Sequence, residues 1–296
     1  MSQLSLSANR ARVPPGLIKA LFFSQIMALL WWGVALGARA ADLFPVWYDQ
    51  RITFTQTLPH LANPYQIINF ANPPWAAVLL APFSLIPLPL AVLLQMCLYF
   101  AILAGAVFKL GGNFRTVVIA LTSFLALQSA FELNIDWLVC LALLVPPTYS
   151  GPLLIIKPQV APGYVLSFKP RDWVKAGLVL ALVVLVSFIL WGFWLSPMQA
   201  EASRIASRTY NIAPLALLPP ILSIAIGVAL AVWALRRRDP VIGVFAGLFF
   251  VPYIAFYSLL LHLTLWAVRQ PRMALLISAA LWLFYGGTIL FLLLRR

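Results

Sequence analysis

The chain has 296 residues, 63% of them hydrophobic, with a mean hydropathy of +0.97 and only 9% charged residues. That composition excludes an ordinary soluble domain or a disordered chain and fits a polytopic all-α membrane protein built as one bundle over residues 1–296. A net charge of +13 would suit nucleic acid, but the lysines and arginines are scattered between apolar runs. They read instead as topological signals with some attraction to anionic membrane lipids, and no nucleic-acid partner is expected.

In chain order, the apolar runs predict membrane elements over 17–37, 75–108, 116–128, 135–147, 151–167, 174–195, 213–235, 241–268 and 273–294, a bundle of about eight to ten transmembrane or half-membrane helices. The first run follows Arg10 and Arg12 and carries Lys19 near its start, as a signal peptide would, but its length and bulky Trp31-Trp32 favour an uncleaved first helix. The 75–108 run is over-long and carries Pro82, Pro87 and Pro89, which predicts a short helix, a break and a full span. The runs at 116–128 and 135–147 are short for spans. The 151–167 run contains Lys157, Pro158 and Pro162, and 241–268 is split at Pro252. Broken helices inside a membrane are tolerated where protein covers them or where they line a cavity, so the bundle is expected to enclose one.

With the N-terminus in the cytoplasm and the 151–167 run dipping in and returning on one side, thirteen loop arginines and lysines fall inside. Four (Arg39, Arg51, Arg204 and Arg208) fall outside. Arg295 and Arg296 fit this arrangement poorly. The arrangement describes a multi-pass protein of the cytoplasmic membrane whose large polar, aromatic, proline-rich segment 39–75 is the first extracytoplasmic loop. Cys97 and Cys140 lie in apolar runs and read as small buried hydrophobes; His60 and His262 are too far apart in sequence to make a ligand pair.

The seven carboxylates then sort by side. Asp172 and Asp239 lie beside cytoplasmic basic residues, and Asp42, Asp49, Glu132, Asp136 and Glu201 remain outside. Asp42 opens the loop at the end of the first helix, with Phe44, Trp47 and Tyr48 beside it. Aromatic neighbours at an interface partly dehydrate a carboxylate and make it a better proton acceptor. The competing reading is an ordinary interfacial acid paired with Arg39 or Arg51.

Lys157 sits too deep in its apolar run to reach water easily, and an ionisable group there is functional or paired. It either holds a lipid phosphate or pairs with Asp136 or Glu132, and the two roles are compatible. Arg204 and Arg208, four residues apart, share a helix face and could clamp a phosphate, although Glu201 is placed to pair with one of them.

These residues, in this order, resemble the bacterial polyprenyl-phosphate-mannose-dependent mannosyltransferases, integral membrane enzymes of the GT-C fold. The matching text is Asp42 with the aromatics after it, Asn63-Pro64-Tyr65, Asn72-Pro73-Pro74-Trp75 and the proline- and leucine-rich run from 79 to 95. Glu132-Leu133-Asn134, Lys157-Pro158-Gln159, and Pro252-Tyr253 with Tyr257-Ser258-Leu259 follow. The chain departs from the family by being shorter, by having Asn72 where a tyrosine is usual, and by Glu132 near a usual Gly-Gln.

The resemblance implies transfer of mannose, or another hexose or pentose, from a polyprenyl-phosphate donor to a hydroxyl of a lipid or glycan acceptor on the outer face. Asp42 would be the general base of an inverting single displacement. Lys157, Arg204 and Arg208 would bind the donor phosphate. Asp49, Tyr48, Asn63, Tyr65, Glu132, Asn134 and Gln159 are candidates for acceptor binding or for supporting those groups. No cofactor and no metal are expected. Broken helices and a deep lysine also suit a transporter or flippase for a lipid-linked sugar, against which stand the lack of a detectable internal repeat and of a chain of acids. A non-catalytic partner in envelope assembly is the third alternative.

Overall fold

The computed structural model describes residues 14–43, 45–206 and 211–288, so Phe44, Arg208 and the terminal arginines 10, 12, 295 and 296 lie outside the described residues. Every regular element among the described residues is helical. In chain order the helices are α1 (Pro15–Ala40), α2 (Tyr48–Ile52), α3 (Pro74–Leu80), α4 (Leu88–Lys109), α5 (Phe114–Leu121), α6 (Phe124–Glu132), α7 (Asp136–Leu141) and α8 (Pro147–Leu154). They continue as α9 (Pro170–Trp191), α10 (Leu195–Ala206), α11 (Pro214–Leu217), α12 (Pro220–Arg237), α13 (Pro240–Leu248), α14 (Leu259–Arg269) and α15 (Pro271–Leu281). Short 3-10 turns at Phe54–Gln56, Pro64–Gln66, Ala81–Leu85, Pro162–Ser167 and Phe256–Ser258 join them.

Proline sets many of these boundaries. It occupies an opening position of α3, α8, α9, α12, α13 and α15, where its missing N–H costs nothing and its fixed φ suits the first turn. Polar caps do the same elsewhere. Asn113 accepts from the Thr116 N–H, Ser123 from Ala126, and Asp239 from Val241 and Ile242.

Four of the described helices are long and apolar enough to cross a membrane: 16–40 of α1, α4, α9 and α12. The pair α5 and α6, bent by 58°, would make a fifth. The eight to ten elements expected included half-membrane pieces, and several apolar runs are divided into pieces below spanning length. The 75–108 run becomes α3, a 3-10 turn and α4; 135–147 holds only the six residues of α7; and 241–268 is interrupted by the non-helical stretch from Phe249 to Ala255. That last break is strapped by Asn211, whose amide donates to the Pro252 carbonyl at 2.6 Å and accepts from the Ile254 N–H at 3.2 Å.

α4 is the axial helix, with 61% of its apolar window buried against 11% for α9 and 17% for α12. α1 and α7 pack on α4, α8 on α9, α14 on α5 and α15, and α13 on both α12 and the 162–167 turn. The outer helices α9 and α12 expose Leu178, Leu182, Ile189, Ile221 and Val228, an apolar face of the kind that lipid acyl chains can cover. Where 162–167 crosses α13, the backbones nearly touch. A Cβ at Gly243 would stand 2.5 Å from the Gly163 carbonyl, and one at Gly247 would stand 2.6 Å from the Gly163 nitrogen.

The two ends of the bundle differ. At one end Lys109 donates to the Leu144 and Val145 carbonyls, and Arg269 bonds Asp239 at 2.6 Å. At the other, the segment between α1 and α3 is tied down by Trp191, which donates to the Leu61 carbonyl, and by Glu201 and Arg204, which clasp Asn69.

Candidate polar site at the loop end of the bundle

The segment after α1 is fastened to α6 by one residue. Trp47, fully buried and in the left-handed region at φ 58°, donates its backbone N–H to the Phe131 carbonyl at 2.7 Å and its indole N–H to the Ala130 carbonyl at 2.9 Å. Those carbonyls belong to the last turn of α6 and have no partner within the helix. Three residues on, in α2, the buried Gln50 and Gln95 of α4 exchange amide bonds at 3.1 and 3.0 Å, and Gln50 also donates to the Leu133 carbonyl. These three anchors set the orientation of α2, and with it Asp49.

α6 stops at Glu132 because Leu133 turns left-handed (φ 31°), and α7 begins only at Asp136. Asn134 occupies that gap and joins the neighbouring segments. Its amide donates to Asp49 Oδ2 at 2.5 Å and to the Tyr257 hydroxyl at 2.9 Å, while its Oδ1 accepts from the Ile135 N–H at 2.8 Å. Behind it, Lys157 Nζ donates to Asp136 Oδ1 at 2.5 Å and reaches Tyr257 Oη at 3.3 Å and Ser258 Oγ at 3.4 Å. A continuous polar path therefore runs from Asp49 through Asn134 and Tyr257 to Lys157 and Asp136. Burial pushes the Asp49 carboxyl above the ordinary carboxylate range; the Lys157 charge and the Asn134 hydrogen bond oppose this without cancelling it, and the Asp136 charge adds to it. Glu132 borders the path and accepts from Gln128 at 3.4 Å.

Of the two roles open to Lys157, the structure contains the pairing with Asp136. Arg204 is likewise bonded to Glu201, at 2.8 Å from Nε, and to Asn69 at 2.6 Å. Both cations thus already have carboxylate partners. Asp42 lies elsewhere. It follows α1 in the left-handed region (φ 50°), exposed, and lines an open depression of about 380 Å³ with Arg39, Leu43, Pro45, Val46 and Arg51. Among the described residues neither Asp42 nor either arginine forms an ion pair; Arg39 instead stacks over Trp47 at 5.4 Å.

The remaining candidates hold the segment's shape or stand apart. Tyr65 donates to the Asn72 carbonyl at 3.0 Å, and Asn63 is the exposed residue before its 3-10 turn. Asn72 in turn donates to the Ile156 carbonyl at 2.9 Å and Trp75 to Pro152, so the Asn-Pro-Pro-Trp stretch is pinned beside Lys157. Tyr48 is exposed, and Gln159 is partly buried near Lys157. Two residues that organise the site, Gln50 and Gln95, were not singled out from the sequence, and Trp47 was read there only as an aromatic neighbour of Asp42, although glutamine inside the apolar run of α4 was a signal that a buried partner existed.

No protein-family profile, curated protein or solved structure matches this chain.

Proposed function

We propose that this protein is a multi-pass glycosyltransferase of the cytoplasmic membrane, with its N-terminus in the cytoplasm. It would move a sugar from a polyprenyl-phosphate donor to an acceptor hydroxyl on the extracytoplasmic face. The observation that carries the reading is the depression that Asp42 shares with Arg39 and Arg51 at the end of a membrane-length helix. A carboxylate can take the acceptor's proton while two guanidinium groups, without carboxylate partners among the described residues, hold the departing lipid phosphate through charge-assisted bonds. The donor phosphate moves in this scheme from Lys157 and Arg204, which are engaged, to Arg39 and Arg51. The ordered resemblance from Asp42 to Tyr257 supports the same chemistry.

The test is sugar transfer by the purified protein in lipid nanodiscs, with radiolabelled polyprenyl-phosphate mannose and a membrane lipid extract as acceptor. Asp42→Asn should lose about 10²–10⁴-fold of the rate, as removal of a general base does. Undiminished transfer by Asp42→Asn would move the base to Asp49. No transfer with any polyprenyl-phosphate hexose or pentose would overturn the reading. A second reading, a transporter for a lipid-linked sugar, draws on the buried Lys157–Asp136 pair beside the broken α13–α14 connection. It expects movement of the lipid-linked sugar between leaflets without transfer, indifferent to Asp42→Asn.

A further inference from the structure

The polar path beside α2 has an uneven hydrogen-bonding inventory. Asp49 Oδ2 accepts from Asn134, and Oδ1 accepts nothing among the described residues. Glu132 Oε1 accepts from Gln128, and Oε2 accepts nothing among them. The Tyr257 hydroxyl accepts from both Asn134 and Lys157, which leaves its own proton as an outgoing donor. Behind these groups Asp136 Oδ2, on a side chain 2% exposed, is an unpartnered buried oxygen. Asp49, Glu132 and Tyr257 are partly exposed, and the two open oxygens of Asp49 and Glu132 are not among the fully buried unpartnered atoms.

The charge of this cluster is opposite to that of the chain. Three of the seven carboxylates, Asp49, Glu132 and Asp136, lie within electrostatic reach of one cation, Lys157, in a protein whose net charge is +13. An anion would find acceptors rather than donors. A divalent cation fits no better, since no three of the described carboxylates, histidines and cysteines come together as a metal site. A group that both donates and accepts matches open carboxylate oxygens beside an outgoing phenol proton. Adjacent hydroxyls have that character.

We infer that Asp49, Glu132, Asn134 and Tyr257 form a binding site for the vicinal hydroxyls of a neutral sugar headgroup, distinct in chemistry from the arginine-lined depression two residues along α2. Asp49 and Glu132 accept from the sugar hydroxyls, and Tyr257 donates to one of them. Asn134 is a positioning residue that holds Asp49 in place against Tyr257. The inference rests on the glycosyl-transfer reading and deepens it, because the phosphate and the sugar of one lipid-linked substrate would then occupy neighbouring sites of opposite charge.

Carbodiimide labelling in nanodiscs, read by peptide mass spectrometry at Asp49, tests it without requiring turnover. Octyl hexoside at ten times its Kd should slow Asp49 modification about tenfold, by simple occupancy, and octyl phosphate should not. Protection by hexoside should disappear in Glu132→Gln and in Tyr257→Phe, two variants that keep side-chain shape. A sugar acting from the donor is recognised by a further arm: protection by polyprenyl-phosphate mannose should weaken in Arg51→Gln, whereas protection by octyl hexoside, an acceptor-like probe, should not. Equal protection by hexoside and alkyl phosphate, or none by hexoside, overturns the inference. Hexoside protection in a protein that transfers no sugar sustains this site and removes the transferase reading. Transfer without protection does the reverse.

Discussion

Lys157 and Asp136 form a salt bridge of 2.5 Å with side chains only 7% and 2% exposed, the most deeply buried ion pair among the described residues. Their charges cancel where neither could be solvated, so each depends on the other. Lys157→Met should destabilise the protein by about 3–5 kcal/mol because it leaves Asp136 charged and alone. Lys157→Met combined with Asp136→Leu should recover most of that loss. Thermal unfolding in nanodiscs measures both, and a single variant as stable as wild type would contradict the pairing.

Gln50 and Gln95 give a parallel expectation with neutral groups. Gln50→Leu strands the Gln95 amide in the core and should cost about 1–3 kcal/mol, while the double replacement by leucine should recover only part of that, because the Leu133 carbonyl and the Trp137 indole N–H lose their partners as well. The same single variant frees α2, so protease cleavage between residues 41 and 60 should accelerate in it and slow again in the double variant.

Asp49 sets a pH dependence. Its carboxyl is raised by burial, so the folded protein holds that proton to a higher pH than the unfolded chain does. The sign follows: this group favours folding fully below its ordinary titration range, and the contribution is lost as pH rises through the raised value. Lys157→Met and Asn134→Leu remove the two influences that oppose the shift and should push the titration higher still. The infrared carboxyl band of Asp49, identified by difference from Asp49→Asn, follows it directly. A downward movement in either variant would contradict the arrangement.

Gly163→Ala should be among the most damaging single-methyl additions in the chain, because the new methyl would overlap the Gly243 carbonyl, a backbone atom that cannot rotate aside. Overpacking of this kind costs about 1–3 kcal/mol, and the upper end applies where the obstacle is main chain. Gly33→Ala, whose methyl meets nothing within 4 Å, is the matched control and should lose no stability in the same unfolding assay.

Much of the helical organisation was legible because proline and apolar runs act locally. The breaks around Pro87 and Pro252 fall where the prolines place them, and Asp136 was one of the partners foreseen for Lys157. The short run at 135–147 and the split run at 241–268 were legible as such, and their pieces are largely buried in protein. Asp49 and Asn134 were visible as polar residues, but their 2.5 Å contact joins positions 85 residues apart. The capping of α6 by Trp47 was invisible for a related reason. A tryptophan after an apolar helix ordinarily signals an interface, and only the fold reveals that both its N–H groups point into the bundle.

That cap links the maturation of two parts of the chain separated by synthesis time. Trp47 leaves the ribosome well before the carbonyls of Ala130 and Phe131 exist, 83 residues later in the case of its indole partner. The segment between α1 and α3 therefore acquires its final shape only once α6 has been made, and any ribosome-bound intermediate shorter than that presents Asp49 and Asp42 on an unanchored ribbon.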